Sequence, residues 1–226
     1  MTNSDKTGER IAVVTGGGQG IGAGVCRQLA AAGLLVVVAD IQADKAASVA
    51  TGLGAPHTSR AVDVADEAAV VRLFDDVEAT IGPVGVLVCA AGLLILPGGE
   101  RPMITDMRLD TWERSFAVNT RGAFLCSREY LRRRTEHPVS QGRVIFFGSV
   151  AAQLGGYRAS AAYIGAKAAV MGYAKAFARE SAHLGITANA IAPGLIDTDM
   201  LRSTVSSSGA LAAAASPCQP AFHAKR

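Results

Sequence analysis

Short apolar runs of β type alternate with helical segments along most of this chain, and that alternation admits few folds. Ile11 to Thr15 is such a run, closed by Gly16, Gly17 and Gly18, and Ile21, Val25 and Leu29 then recur at helical spacing until Gly33. Leu35 to Ala39 is a continuous apolar run with Asp40 at its end, and Gln42 to Leu53 is an alanine-rich helical stretch. The same rhythm predicts strands over His57 to Val62, Val86 to Ala90, Arg143 to Phe147 and Ile186 to Ile191. Helices are predicted over Asp66 to Ile81, Asp110 to Arg134 and Ser160 to Leu184. Parallel strands joined by helical crossovers give an α/β fold, a single Rossmann-type doubly wound parallel sheet with helices on both faces. Ligands of such sheets gather beyond the carboxyl ends of the strands, where the glycine turn, Asp40, Asp63, Gly92 and Ser149 all fall.

A chain of 226 residues with one such alternation suits one domain. Twenty-two basic against nineteen acidic residues leave a charge of +3, too small and too scattered for a nucleic-acid footprint. The run Arg132-Arg133-Arg134, with Arg128 before it, reads as a solvated helix end. Cys26, Cys89, Cys126 and Cys218 lie far apart, which argues for free thiols and against a disulfide framework or a zinc site; the four histidines are equally dispersed. Met1 to Arg10 is polar, and the longest apolar run, Val84 to Leu96, is shorter than the roughly 20 residues that span a bilayer. A cytoplasmic protein with no membrane partner is expected. Leu93 to Leu109, with Pro97-Gly98-Gly99, is a long excursion expected at the mouth of a pocket. From Ser203 the composition turns to Ser, Ala and Pro, so residues 1–202 are read as a catalytic domain and 203–226 as an atypical, flexible tail.

The turn Gly16-Gly17-Gly18-Gln19-Gly20-Ile21-Gly22 meets the needs of a pyrophosphate, since glycines admit close backbone approach and a helix N-terminus offers unpaired N–H groups. A methyl-donor-binding domain of similar build is the alternative reading of the turn. Asp40, some twenty residues on, is placed to accept hydrogen bonds from ribose hydroxyls, with Ile41 beside it. That carboxylate repels a 2′-phosphate, and no Lys or Arg lies within the turn, so NAD is favoured over NADP. Asp63 and Val64 either flank the adenine or cap the helix before Glu67.

Tyr163 and Lys167 stand one helical turn apart and share a helix face. Removing a proton from a secondary alcohol needs a base; an ammonium nearby is expected to lower the phenol's pKa from its usual value near ~10. Ser149 closes a strand and is placed to polarise a carbonyl oxygen. Asn119 is a polar residue in an apolar helical stretch, where it holds a water, a backbone distortion or a core hydrogen bond.

These residues together resemble the short-chain dehydrogenase/reductase family, from Ile11 through about Met200. The resemblance implies Asn119, Ser149, Tyr163 and Lys167 as the catalytic tetrad, with Lys167 also binding the nicotinamide ribose and Asn119 supporting a proton relay. It further implies cofactor contacts from Ala90 and Gly92 and from Pro193, Gly194, Ile196 and Thr198. Where the family carries Asn-Asn-Ala-Gly, this chain reads Cys89-Ala90-Ala91-Gly92. The family also continues past the Thr198 region with a lid helix, a last edge strand and a glycine-rich end, which Ser203 to Arg226 do not resemble. The last edge strand is therefore expected to be missing, and the homodimer or homotetramer implied by the family is set against that ending. The reading that follows is an oxidoreductase acting on a small-molecule alcohol or ketone, with Tyr163 as general acid/base; a dinucleotide-binding protein without turnover is the alternative.

Overall fold

The computed structural model describes residues 10–155 and 159–202. Its sheet has six strands, all parallel, in the order β3-β2-β1-β4-β5-β6. They are Ile11–Thr15 (β1), Leu35–Asp40 (β2), Thr58–Ala61 (β3), Val84–Cys89 (β4), Arg143–Phe147 (β5) and Thr187–Ile191 (β6). The order reverses direction between β1 and β4, so a crevice opens at their carboxyl ends.

β1 is buried along its whole length, and alternate residues feed two separate cores. Val13, Val37, Leu87, Val144 and Phe146 point to one face, where Gly122–Glu136 (α5), Ala161–Ser181 (α7) and Glu67–Thr80 (α3) supply Leu125, Val170, Phe177, Phe74 and Val77. Ala12, Val14, Val36 and Val38 point to the other, under Gly20–Ala31 (α1) and Ala43–Leu53 (α2). Burial on both faces explains why these strands read as unbroken valine runs. Cys26, Cys89 and Cys126 are buried free thiols, as expected, and Cys218 lies outside the described residues.

The helix predicted from Asp110 to Arg134 is two helices, Leu109–Phe116 (α4) and α5, joined by a wider π turn over Ala117–Arg121. The cause lies in Asn119, whose amide is drawn out of the turn to the backbone of Leu93 and Ser115. The excursion before it carries two short 3₁₀ turns, Pro97–Gly99 and Ile104–Asp106. Val150–Leu154 (α6) is a short helix outside the predicted alternation; Ser149 caps its N-terminus by accepting from Ala151 N–H, and Gly155 ends it in a left-handed conformation with φ 75°. Asp199–Arg202 (α8) is the last described element. Among the described residues the sheet ends at β6, and the expectations for the tail fall on 203–226, outside them. No helix among the described residues is long and apolar enough to cross a membrane.

Candidate active site

The glycine turn lies across the crevice from the end of β4. Gly16 has φ +68°, and a Cβ there would stand 2.6 Å from the backbone of Ala91. At Gly22 a Cβ would reach 2.0 Å from the carbonyl oxygen of Gly16, so the first turn of α1 and the end of β1 touch backbone to backbone. Gly20 has φ +52° and Thr198 above it, Cγ2 lying 3.3 Å from the position of a Cβ. Gln19 precedes α1 in extended conformation and makes no side-chain cap bond, which leaves the helix's first N–H groups to an anion. Ile21 packs under the turn against the α1 core. A cradle that side chains would fill fits a dinucleotide's pyrophosphate.

Asp40 is 6% exposed, and its carboxylate is tied to the backbone at both oxygens. Oδ2 accepts from Gly18 N–H at 3.0 Å and Oδ1 from Gln42 N–H at 2.9 Å. The carboxylate therefore holds the glycine turn against the end of β2, and Ile41 beyond it is exposed. Asp63 bends the chain after β3 by accepting from Ala65 N–H at 2.9 Å, whereas the cap of α3 is Asp66, which accepts from Ala68 N–H. Val64 is buried, its side chain pressed toward Gly122 at the start of α5.

Four residues converge at the ends of β4 and β5. Lys167 is 4% exposed and donates to the carbonyl oxygen of Phe147 at 2.9 Å. A Cβ on Gly92 would lie 3.2 Å from the Lys167 Nζ and 2.9 Å from the Asn119 Oδ1, so Gly92 leaves the space in which these two meet. Asn119 is fully engaged: Nδ2 donates to the carbonyl oxygens of Leu93 and Ser115, each at 2.9 Å, and Oδ1 accepts from Leu93 N–H at 3.1 Å. It thus fixes the chain immediately after Gly92, combining the distortion and the core hydrogen bonding that its sequence context allowed. Ala90 closes the β1 side by donating to the Thr15 carbonyl oxygen at 3.1 Å.

Tyr163 lies in the first turn of α7, its N–H donating to the Ser160 cap, and its phenol lies close enough to the Ser149 hydroxyl for that hydroxyl to influence its pKa. Here the electrostatics differ from the sequence expectation. Burial pushes the phenol above its usual pKa of 10.0, and the nearby Ser149 hydroxyl pulls it partway back. Lys167, with Nζ 5.8 Å from the centroid of the phenol ring, is not what sets the phenol's pKa. The lysine is itself pushed down to about 8, because burial disfavours its charged form. Cys89, where the family pattern carries an amide, is buried with its thiol pushed well up by desolvation, and its Sγ lies 3.9 Å from the Ala123 carbonyl oxygen.

The segment after β6 completes the rim. The Pro193 carbonyl oxygen accepts from Val150 N–H at 3.0 Å, tying the segment to α6. Gly194 has no neighbour where a Cβ would stand, and Ile196 is exposed. Thr198 accepts from Leu201 N–H at 3.4 Å and so starts α8 above Gly20. The sequence reading missed Lys45, which donates to the Gln19 side-chain oxygen across the turn, and Leu93 and Ser115, which hold Asn119. These are contacts between residues far apart in sequence or between backbone atoms, and neither leaves a motif. No group of His, Cys, Asp and Glu among the described residues could hold a metal ion.

Comparison with known proteins agrees with this geometry. The family model described as short chain dehydrogenase matches residues 10–208. A 2-dehydro-3-deoxy-L-rhamnonate dehydrogenase (NAD(+)) of Sphingomonas sp. (strain SKA58) is 34% identical over 85% of this chain and 74% of that protein. Sorbitol-6-phosphate 2-dehydrogenase of Escherichia coli (strain K12) is 35% identical over 86% of this chain and 74% of its own length. The 3-oxoacyl-[acyl-carrier-protein] reductase of Salmonella typhimurium (strain LT2) is 33% identical over 85% and 76%. A crystal structure of ribose-5-phosphate isomerase from Brucella melitensis 16M superposes with a TM-score of 0.77 at 29% identity, covering 86% of this chain and 72% of that one. A fold shared with a protein of that name places no limit on chemistry, but the glycine turn, the Tyr163–Lys167 helix and the matched family model agree, and this chain belongs to the short-chain dehydrogenase family.

Proposed function

We propose that this chain interconverts a secondary alcohol and its ketone with a nicotinamide dinucleotide, Tyr163 serving as general acid/base. The observation that carries the reading is the convergence of Ser149, Tyr163, Lys167 and Asn119 at the carboxyl edge of the sheet, with the Lys167 Nζ and the Asn119 Oδ1 meeting at Gly92 and Ser149 near enough to the Tyr163 phenol to influence its pKa. When bound, the dinucleotide supplies or accepts the hydride. The rest falls to the chain's own residues. Ser149 and Tyr163 together address one oxygen of the substrate. In reduction that oxygen gains charge as hydride reaches its carbon, Ser149 stabilises the charge, and Tyr163 gives up the phenolic proton. In oxidation the proton returns to the tyrosine oxygen.

A phenol held protonated by burial is an acid at neutral pH. The phenol can therefore act as the acid in reduction there, and the oxidation direction needs the phenolate, which rising pH makes available. Lys167, anchored on Phe147, and Asn119, anchored on Leu93, hold the space under Gly92 where the nicotinamide ribose is received. Gly16, Gly18, Gly20 and Gly22 receive the pyrophosphate, Asp40 the adenosine ribose, and Thr198 the rim above α1. Asp40 favours NAD. The relatives are named for substrates as different as a sugar acid, a sorbitol phosphate and a carrier-bound 3-oxoacyl group. A carbonyl or secondary hydroxyl is common to them, and that group is the substrate class proposed here.

Tyr163→Phe tests the assignment. It is expected to keep dinucleotide binding and to lower turnover by about 10²- to 10⁴-fold on any active ketone from a panel of 3-oxoacyl thioesters, sugar acids and polyol phosphates. Unchanged turnover contradicts the role given to Tyr163. Wild-type protein that binds the dinucleotide and turns over none of the panel would favour the binding-protein alternative.

A further inference from the structure

The rim of the adenosine end carries a charge that the glycine motif does not contain. Lys45, in the first turn of α2, is the sole lysine or arginine between Arg27 and Arg60. A Cβ on Gly18 would lie 3.0 Å from both the Asp40 Oδ2 and the Lys45 Cβ, so the carboxylate and the lysine stem flank one α-carbon of the turn. From there the Lys45 ammonium reaches over the turn and donates to the Oε1 of Gln19. Gln19 is the residue just before α1, and its side chain makes no cap bond of its own. The lysine is exposed, whereas Asp40 is buried and committed to two backbone N–H groups. Of the two opposite charges at the end of β2, one is therefore fixed and the other is held by a single exchangeable neutral acceptor. Asp44 adds a second carboxylate next to Lys45 in sequence, on the exposed face of α2.

We propose that Lys45 is a specificity-determining residue for the dinucleotide: it exchanges its Gln19 partner for a 2′-phosphate, so that the phosphorylated dinucleotide is accepted alongside the unphosphorylated one. The inference rests on the reading of the glycine turn as the dinucleotide site. Chemically, a phosphate monoester carrying about −1.5 to −2 charge is a better acceptor for an ammonium than a neutral amide oxygen. The exchange compensates the repulsion that the Asp40 carboxylate exerts on the same group. The unphosphorylated ribose presents no charge to Lys45 and leaves the Gln19 pair in place. Cofactor choice is then set by the Asp40–Lys45 pair, and the preference for NADH over NADPH is narrow.

The test is titration of the full chain with NADH and with NADPH, for wild type, Lys45→Ala and Lys45→Arg, at low and at high salt. The expected result is that wild type binds both within about tenfold of each other, and that Lys45→Ala weakens NADPH about tenfold while moving NADH less than about twofold. Lys45→Arg, which keeps the charge, is expected to retain NADPH binding, and the NADPH affinity of wild type is expected to fall more steeply with salt than that of NADH. Equal weakening of both dinucleotides in Lys45→Ala, or no change in either, overturns the role of Lys45 while leaving the site reading standing. Wild type that binds neither dinucleotide overturns both.

Discussion

Over β1 and β2 the sheet is covered on both faces, by α1 and α2 on one side and by the larger core on the other, whereas β6 is covered by α7 and leaves Thr187, Asn189 and Ile191 exposed. Ile191 is 47% exposed and Val14, in the middle of the sheet, not at all. In the first half the functional groups are backbone atoms and a carboxylate locked onto them. Gly16, Gly18, Gly22 and Asp40 have no freedom, because each is pressed against another backbone segment or against the carboxylate that binds it. In the second half Ser149, Tyr163 and Lys167 are carried by the end of β5 and by α7, while Leu154, Leu195 and Ile196 around them are exposed. Under the proposed function, the part assigned to the dinucleotide is the rigid one, and the part assigned to the substrate is built from exposed segments on a rigid base.

The comparison breaks most visibly at Gly22. Placing a Cβ 2.0 Å from the Gly16 carbonyl oxygen cannot be relieved by a side-chain rotation, since the obstructing atom is backbone. Gly22→Ala is expected to cost about 3 kcal/mol or more, read from urea denaturation midpoints, and to abolish dinucleotide binding. Gly24→Ala, two residues on in the same helix with nothing within 4 Å, is expected to stabilise by up to about 1 kcal/mol. If the two substitutions behaved alike, the close approach would not be what holds the turn.

A second test probes the buried lysine of the other half. Lys167 has its pKa lowered from 10.5 to about 8 in the folded protein. Below pH 8 both states hold the proton and the burial cost is present in full. Between about 8 and 10.5 Lys167 binds more protons in the unfolded chain than in the folded one, so its own contribution to stability rises with pH through that window, against the opposite contribution of the buried thiols, whose pKa values are raised. The contribution expected is on the order of 2 to 3 kcal/mol, measured as the amount by which the change in unfolding free energy between pH 7.5 and pH 10.5 is more favourable in wild type than in Lys167→Met, the thiols being common to both. Equal pH dependence in the two proteins would place the lysine's charge in water.

The smallest effect belongs to the covered half. His57 accepts the Val36 N–H at its Nδ1, 3.1 Å away, and so completes the edge of β2 where β3 has not begun. His57→Ala is expected to lose about 1 kcal/mol, again by urea denaturation, and no dinucleotide affinity. A loss of affinity would tie this edge to the site.

The strands of the first half are legible in the sequence because burial on both faces writes them as runs such as Leu35-Val36-Val37-Val38-Ala39, and the glycine turn is legible because each close approach excludes a side chain. Tyr163 and Lys167 are legible from helical spacing. What does not show is set by contacts across the fold. The π turn at Ala117–Arg121 escapes because the apolar pattern continues through it, and only the pull of Leu93 and Ser115 on Asn119 opens it. Helix α6 is too short to display a period. The phenol's electrostatics escape as well, since spacing places an ammonium near Tyr163 and gives no measure of burial, which is the stronger influence here. Lys45 meets Gln19 across 26 positions of chain, a pairing without a local signature.

The most direct test of the central claim, a dinucleotide-dependent site assembled between the two halves, is thermal unfolding of the full chain alone and with NADH or NADPH at about 100 times the dissociation constant found by titration. A ligand that binds only the folded state adds about 2.7 kcal/mol under those conditions, which for a chain of this size raises the Tm by roughly 5 to 10 °C. The account predicts a rise of that order with NADH, smaller or absent in Gly22→Ala protein that remains folded. No rise with either dinucleotide up to millimolar concentration would contradict it.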